Sequence, residues 1–277
     1  MDGVRMRYLR DGVGAPLLLL HGLLGYSFSW RYTIPTLARY ANVHAVDMPG
    51  VGFSDRPRGL DCCLRANAAR LLGFLDAVGV AECDLLGTSH GGAVAMMAAA
   101  LAPERILRLI LVAPVNPWSA HGRLMAALLS NRLIAPIFLR AAPHFQIAHS
   151  LVLRRLYGDT ARIRPGTLEG YSAPLAMAGA FEYGLSALRS WVRDLRELRS
   201  MLPRIAHIPT LLIWGKLDAA VDPVSAARLR ESFEDCRLVI FEGVGHLPYE
   251  EVPEQFNSTV IEFLLASKSG KNGTTSG

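Results

Sequence analysis

The segment Gly87-Thr88-Ser89-His90-Gly91 carries the most specific chemical signal in the chain. Strand-like residues 84–86 lead into it and the small residues Gly92 and Ala93 follow, so a strand runs into a sharp turn and then a helix. On so tight a turn the positions two before and two after the serine have no room for a side chain, which accounts for Gly87 and Gly91. The turn lifts the Ser89 hydroxyl above the sheet at the positive end of the following helix, a place for a nucleophile. A phosphate-binding loop would want Gly-Lys-Ser/Thr instead, and that is missing. A serine hydroxyl attacks at neutral pH only if a base takes its proton in the same step. His246, between a strand and a helix in Gly243-Val244-Gly245-His246, is the candidate base, since an imidazole of pKa ~6.5 accepts a proton and returns it. Asp218, directly after a strand end in Trp214-Gly215-Lys216-Leu217-Asp218, is the candidate to hold its tautomer and stabilise the imidazolium. Asp222 is the alternative, although Asp222-Pro223 has the character of a helix start.

Other chemistries find less support. Cys62, Cys63, Cys83 and Cys236 have no metal-ligand spacing and two are adjacent, so free thiols in a reducing compartment are expected. No His-Glu-x-x-His pair occurs, and His144 and His149 lie five apart, on different helix faces, so no metal site is expected. The 29 basic and 24 acidic residues leave a formal charge of +5 without any Lys/Arg tract, which argues against a nucleic-acid partner. The surplus sits in residues 116–202, where eleven Arg face five acids; exposed Arg on helices is more often a solvated face than a binding site.

The elements that must position these residues follow from hydropathy. At 277 residues, 51% hydrophobic and 19% charged, the chain has material for a large core and does not resemble a disordered one. Residues 4–10 alternate as a half-exposed antiparallel strand does. Short continuous apolar runs at 15–20, 43–46, 84–86, 106–112, 209–214 and 238–241 suit strands buried on both faces, and helical segments at 64–78, 91–101, 223–233 and 253–265 separate most of them. Alternating strands and helices imply an α/β fold, a mostly parallel central sheet with helices on both faces. The alternation stops between residues 115 and 203, which predicts an all-helical cap over 116–202 inserted in a core of 1–115 and 203–266. The clearest stripe in that cap is Phe181, Leu185, Leu188, Val192 and Leu195, with Arg189, Arg193 and Arg196 between. Residues 267–277 are Ser/Gly/Lys/Thr-rich and predict a disordered tail. No signal peptide and no run long enough to span a bilayer are found, so a cytoplasmic location is expected.

With these segments in place the chain resembles the α/β-hydrolase family, over nearly its full length. His21-Gly22-Leu23-Leu24-Gly25 resembles the family's oxyanion segment; the resemblance implies that the backbone N–H groups of Leu23 and His90 form the oxyanion hole, with His21 and Gly22 supporting the turn. Asp47-Met48-Pro49-Gly50 resembles a loop whose Asp is structural, and residues 214–218 and 243–246 resemble the acid and histidine turns, in the family's order Ser, Asp, His. Asn116 occupies a strand end where some relatives keep the acid, and an amide cannot take that part. Relatives carry a further strand before the one at residues 4–10; here it is expected to be missing or vestigial. Serine at the elbow speaks against the dehalogenase and epoxide-hydrolase branches, which use Asp. The resemblance implies a serine hydrolase that cleaves a small, mostly apolar carboxylic ester through an acyl-Ser89 intermediate, without metal or organic cofactor. C–C hydrolysis of ring-cleavage products, thioester or amide hydrolysis and perhydrolysis remain open with the same triad, as does a non-catalytic ligand-binding role. Met125, Phe138 and Phe181 are the candidate pocket residues in the cap.

Overall fold

The computed structural model describes residues 3–119, 128, 131, 133–142 and 146–269. Among the described residues seven strands form one sheet: β1 (Tyr8–Asp11), β2 (Pro16–Leu20), β3 (Asn42–Val46), β4 (Cys83–Thr88), β5 (Ile106–Val112), β6 (Thr210–Gly215) and β7 (Cys236–Phe241). Their spatial order is β1-β3-β2-β4-β5-β6-β7, with β1 antiparallel to β3 and every other pairing parallel. The α-helices of four residues or more among the described residues are α1 (Ile34–Leu37), α2 (Leu64–Ala77), α3 (His90–Leu101), α4 (Ile134–Ala141), α5 (Gln146–Leu156), α6 (Thr167–Ser172), α7 (Glu182–Met201), α8 (Val224–Arg230), α9 (Pro248–Glu251) and α10 (Pro253–Ser269).

The continuous apolar runs have a direct cause. Side chains alternate across a pleated strand, and both faces of this sheet are covered. Leu18, Leu20, Leu85, Leu109, Leu111 and Leu212 face a layer that contains α2, α3 and α7, whereas Leu17, Leu19, Leu86, Ile110, Leu211 and Ile213 face Trp30, Tyr249, Phe256 and α10. The parallel strands all end on one side, and the chain leaves β2 at His21, β4 at Ser89, β6 near Asp218 and β7 near His246. In open α/β sheets ligands bind outside these carboxyl ends.

Several expectations need correction. The first strand covers Tyr8–Asp11 rather than residues 4–10, and its four residues are all exposed: it is an edge strand with one neighbour. Among the described residues before Tyr8 none is in a strand. Between β5 and β6 the described residues hold helices and no strand, and the last of these helices, α7, packs on the core layer. Tyr183, Ala187, Leu195 and Leu198 pack into the core layer with α2 and α3, and the buried Asp194 carboxylate accepts the Leu64 N–H (2.9 Å) at the start of α2. The buried stripe of α7 passes through these residues, while Val192, expected in it, is 58% exposed. Residues Ser267 to Ser269, expected in the tail, continue α10; residues 270–277 lie outside the described residues.

Candidate active site

Ser89 sits between β4 and α3 at φ 53° and ψ −123°, a conformation L-residues rarely adopt and one that surrounding structure must enforce. Four backbone bonds do so: Ser89 N–H donates to Val112 (2.9 Å), and its carbonyl accepts from Gly92 (3.0 Å), Ala93 (3.3 Å) and Val115 (2.9 Å). A Cβ on Gly87 would stand 2.6 Å from the Gly91 carbonyl oxygen, and one on Gly91 would collide with the His21 carbonyl oxygen. The two glycines are therefore steric requirements of the turn.

His246 and Asp218 come from different loops and meet. Asp218 Oδ2 lies 2.7 Å from His246 Nδ1, with both side chains buried. Asp218 Oδ1 accepts the N–H groups of Ala220 (2.7 Å) and Val221 (2.9 Å), which orients the carboxylate. A carboxylate accepts only, so the Nδ1–H tautomer follows and Nε2 keeps its lone pair. Asp222, the alternative, accepts Val224 N–H (2.9 Å) at the start of α8. Asn116 is engaged with the Pro114 carbonyl and the Ser225 hydroxyl, both at 3.0 Å.

The histidine loop is held by a clamp that no local sequence signal announces. His246 N–H donates to the Leu156 carbonyl at the end of α5 (2.7 Å). The Glu251 carboxylate accepts Gly245 N–H (2.7 Å), Gly158 N–H (3.1 Å to each oxygen) and Asp159 N–H (3.2 Å), with the Arg162 guanidinium 3.6 Å away. Burial pushes the Glu251 carboxyl up, while the Gly158, Gly245 and Asp159 N–H groups pull it down. Gly158 and Gly245 approach so closely that a Cβ on Gly158 would lie 2.7 Å from Gly245 N, so the contact between the two segments is backbone on backbone.

The segment after β2 is arranged around one peptide. The Gly22 carbonyl accepts Gly25 N–H (3.0 Å) and lies 2.8 Å from His21 Nδ1, while His21 Nε2 accepts Met48 N–H (3.0 Å), which sets the proton on Nδ1. In a trans peptide the next N–H points opposite to that carbonyl, leaving the Leu23 N–H free of it. The His90 N–H, in the first turn of α3, has no intrahelical acceptor. These are the two groups singled out as oxyanion donors. Burial acts on both rings behind them: it lowers the His21 pKa against the pull of the Gly22 carbonyl and Asp47, and burial, then the nearby His21, lowers His90 to about 4. The His90 ring stacks on Trp191 and meets the edge of Tyr183. Asp47 receives Ser27 and Phe53 N–H groups at 2.7 and 3.0 Å, a structural part.

Ser89, His246, Gly22 and Leu23 line a cavity of about 570 Å³. Phe138 and Phe181 line it as well, whereas Met125 lies outside the described residues. Sequence reasoning missed Leu24, Leu153, Leu156, Tyr171 and Tyr249, which also face it. Leu24, next to the oxyanion segment with φ 58°, was the only one of these with a positional clue. No lining residue among those described is Lys, Arg, Asp or Glu. Behind Tyr171, the Glu250 carboxylate is paired with Arg31 through two contacts and accepts the Tyr171 hydroxyl at 2.7 Å. No group of three or more His, Cys, Asp or Glu suited to a metal occurs among the described residues.

A sheet of this order with a strained serine at the β4–α3 turn defines a fold family. The chain belongs to the alpha/beta hydrolase fold family, whose sequence model matches residues 15–253, and it is an enzyme of that family. It is 29% identical over 261 residues to a 2-hydroxy-6-oxo-2,4-heptadienoate hydrolase of Pseudomonas putida, covering 92% of this chain and 91% of that protein. It is 29% identical over 262 residues to a pimeloyl-[acyl-carrier protein] methyl ester esterase of Aeromonas hydrophila, covering 92% and 97%. A meta-cleavage product hydrolase from Pseudomonas fluorescens IP01 superposes with a TM-score of 0.81 at 24% identity over 96% of each chain, a likeness of fold. No helix among the described residues is long and apolar enough to cross a membrane.

Proposed function

We propose that the protein hydrolyses an uncharged, mostly apolar carboxylic ester through an acyl-Ser89 intermediate. The observation that carries this reading is the buried 2.7 Å contact of Asp218 with His246 at the wall of an apolar cavity that also holds Ser89. His246 Nε2 takes the Ser89 Oγ proton as Oγ adds to the ester carbonyl. The tetrahedral oxyanion is met by the Leu23 and His90 N–H groups. The intermediate collapses, Nε2 gives the proton to the departing alkoxide, and an alcohol leaves. Water, deprotonated by the same nitrogen, then adds to the acyl-enzyme and releases the acid and Ser89. The scheme calls on no metal or organic cofactor, and the four free thiols suit a cytoplasmic setting.

The dienoate hydrolase relative brings C–C hydrolysis into view as a second reading. A dienoate carries a carboxylate, and a cavity whose described lining offers no Lys or Arg supplies no countercharge, which favours the ester. The test is turnover of p-nitrophenyl esters of graded chain length beside a 2-hydroxy-6-oxo-dienoate, a thioester and an amide, together with labelling by a fluorophosphonate. Labelling and ester turnover, both abolished in folded Ser89→Ala, are expected; faster cleavage of the dienoate, or wild-type turnover by the Ala variant, overturns the proposal.

A further inference from the structure

The first half of the cap has an unusual composition. No Asp or Glu occurs from Asn116 to Gly158, although the same stretch contains five Arg. Charge of one sign over so long a run means that this stretch itself brings no acid to repel an anion.

The structure places part of that stretch at the cavity mouth. Phe138 and Ala141 of α4 and His149 and Val152 of α5 line the cavity, and the His149 ring lies 3.1 Å from the Ala142 carbonyl just past α4, which ties the two helices. Their other faces point to solvent and are apolar where solvation would favour polar residues. Leu133, at the N-cap of α4, is 81% exposed, Ile137 70%, and Leu151 and Val152 on α5 are 63% and 60% exposed. Leu133, Ile137 and Arg140 are spaced by four and three and so share a helix face; Leu151, Arg154 and Arg155 do the same on α5. Val152 both lines the cavity and stands exposed, so the apolar patch and the mouth are continuous.

We infer that this face docks on an anionic lipid surface, with the aliphatic side chains entering the headgroup region and Arg140, Arg154 and Arg155 meeting lipid phosphates. Aliphatic tips ringed by Arg are the pattern of an interfacial helix, which holds by buried apolar area plus attraction to anionic lipid. An acidic protein partner is less well matched. Interfaces between proteins favour aromatic anchors and charges of both signs to set register, and the described outer residues of α4 and α5 supply aliphatics and one sign. Docking there would present the mouth to the phase in which an apolar ester is concentrated.

Vesicle sedimentation of the full chain tests this without reference to the reaction. Phosphatidylcholine vesicles with phosphatidylglycerol added should pellet the protein, pure phosphatidylcholine should do so weakly, and high salt should release it. Arg154→Glu with Arg155→Glu, and separately Leu133→Ser with Ile137→Ser, should each weaken binding by about tenfold or more. Turnover of a water-soluble short ester should be unchanged in both variants, with folding checked by circular dichroism. Absence of binding to phosphatidylglycerol vesicles at low salt overturns the inference, as does binding that neither variant weakens. Equal, salt-insensitive binding to both vesicles overturns the anionic part. Self-association without vesicle binding, lost in the Leu133/Ile137 variant, would make the face an interface between copies instead.

Discussion

Replacing Glu251 by Gln separates the clamp on the histidine loop from the catalytic groups themselves. Every partner of this carboxylate is a donor: Gly245, Gly158 and Asp159 through their N–H groups, and Arg162 through its guanidinium. Glutamine keeps the shape but offers one oxygen, and its NH₂ must face donors. If the oxygen keeps the 2.7 Å bond to Gly245, the Asp159 N–H loses its acceptor and Arg162 its countercharge. A hydrogen bond to a charged group contributes ~1.5 to 3 kcal/mol, and a buried donor left unpaired costs ~1 to 3 kcal/mol. A loss of stability of about 2 to 4 kcal/mol is therefore expected. Because Gly245 precedes His246, the imidazole should lose its fixed position relative to Ser89. Misplacement by about an ångström costs on the order of 100-fold, so kcat should fall roughly 10- to 100-fold with KM nearly unchanged. The assays are urea unfolding, kcat and KM on a p-nitrophenyl ester, and the rate of fluorophosphonate labelling, which should fall with kcat. Lost stability with undiminished kcat and labelling would refute the reasoning, since the clamp would then serve the fold and not the histidine.

Asp218→Asn should lower kcat by several orders of magnitude, because the imidazole is then free to settle in the other tautomer, while Asp222→Asn, which disturbs only the α8 start, should leave kcat nearly intact; steady-state kinetics on both variants check this, and the reverse outcome reassigns the acid. Phe138→Ala and Phe181→Ala, on the cavity wall, should alter the ratio of kcat/KM between short and long esters by ~1 to 3 kcal/mol, and unchanged chain-length profiles in both would mean that other residues shape the pocket. Since the buried His90 has its folded-state pKa lowered to about 4 from an unfolded value of ~6.5, the unfolded chain binds more protons between those values, and the stability lost as pH falls from ~6.5 to about 4 should be roughly 3 kcal/mol. Urea midpoints against pH check it: His90→Phe should flatten the profile over that window, leaving the part due to His21, whose pKa burial also lowers.

The parts of this protein that its sequence determined are those whose physics is local. A strand covered on both faces must be apolar throughout, so β2 and β5 stand out as runs of Leu, Ile and Val. The elbow at Ser89 is as local: two glycines and a small-residue helix start are needed wherever a strand turns so sharply into a helix. Edge strand β1 was misplaced because an element with one neighbour and four exposed residues leaves little pattern. Tertiary structure alone decided the rest. Val192 and Tyr183 differ in burial because α7 packs on α2 and α3, a matter of which side of the helix meets the core and not of helical period. The reach of Asp218 to His246 across 28 positions, and of Glu251 to the end of α5 across 93, depends on how separate loops converge at the strand ends. Tyr171 and Tyr249 face the cavity for the same reason, since a wall made from several distant segments leaves no spacing in any one of them.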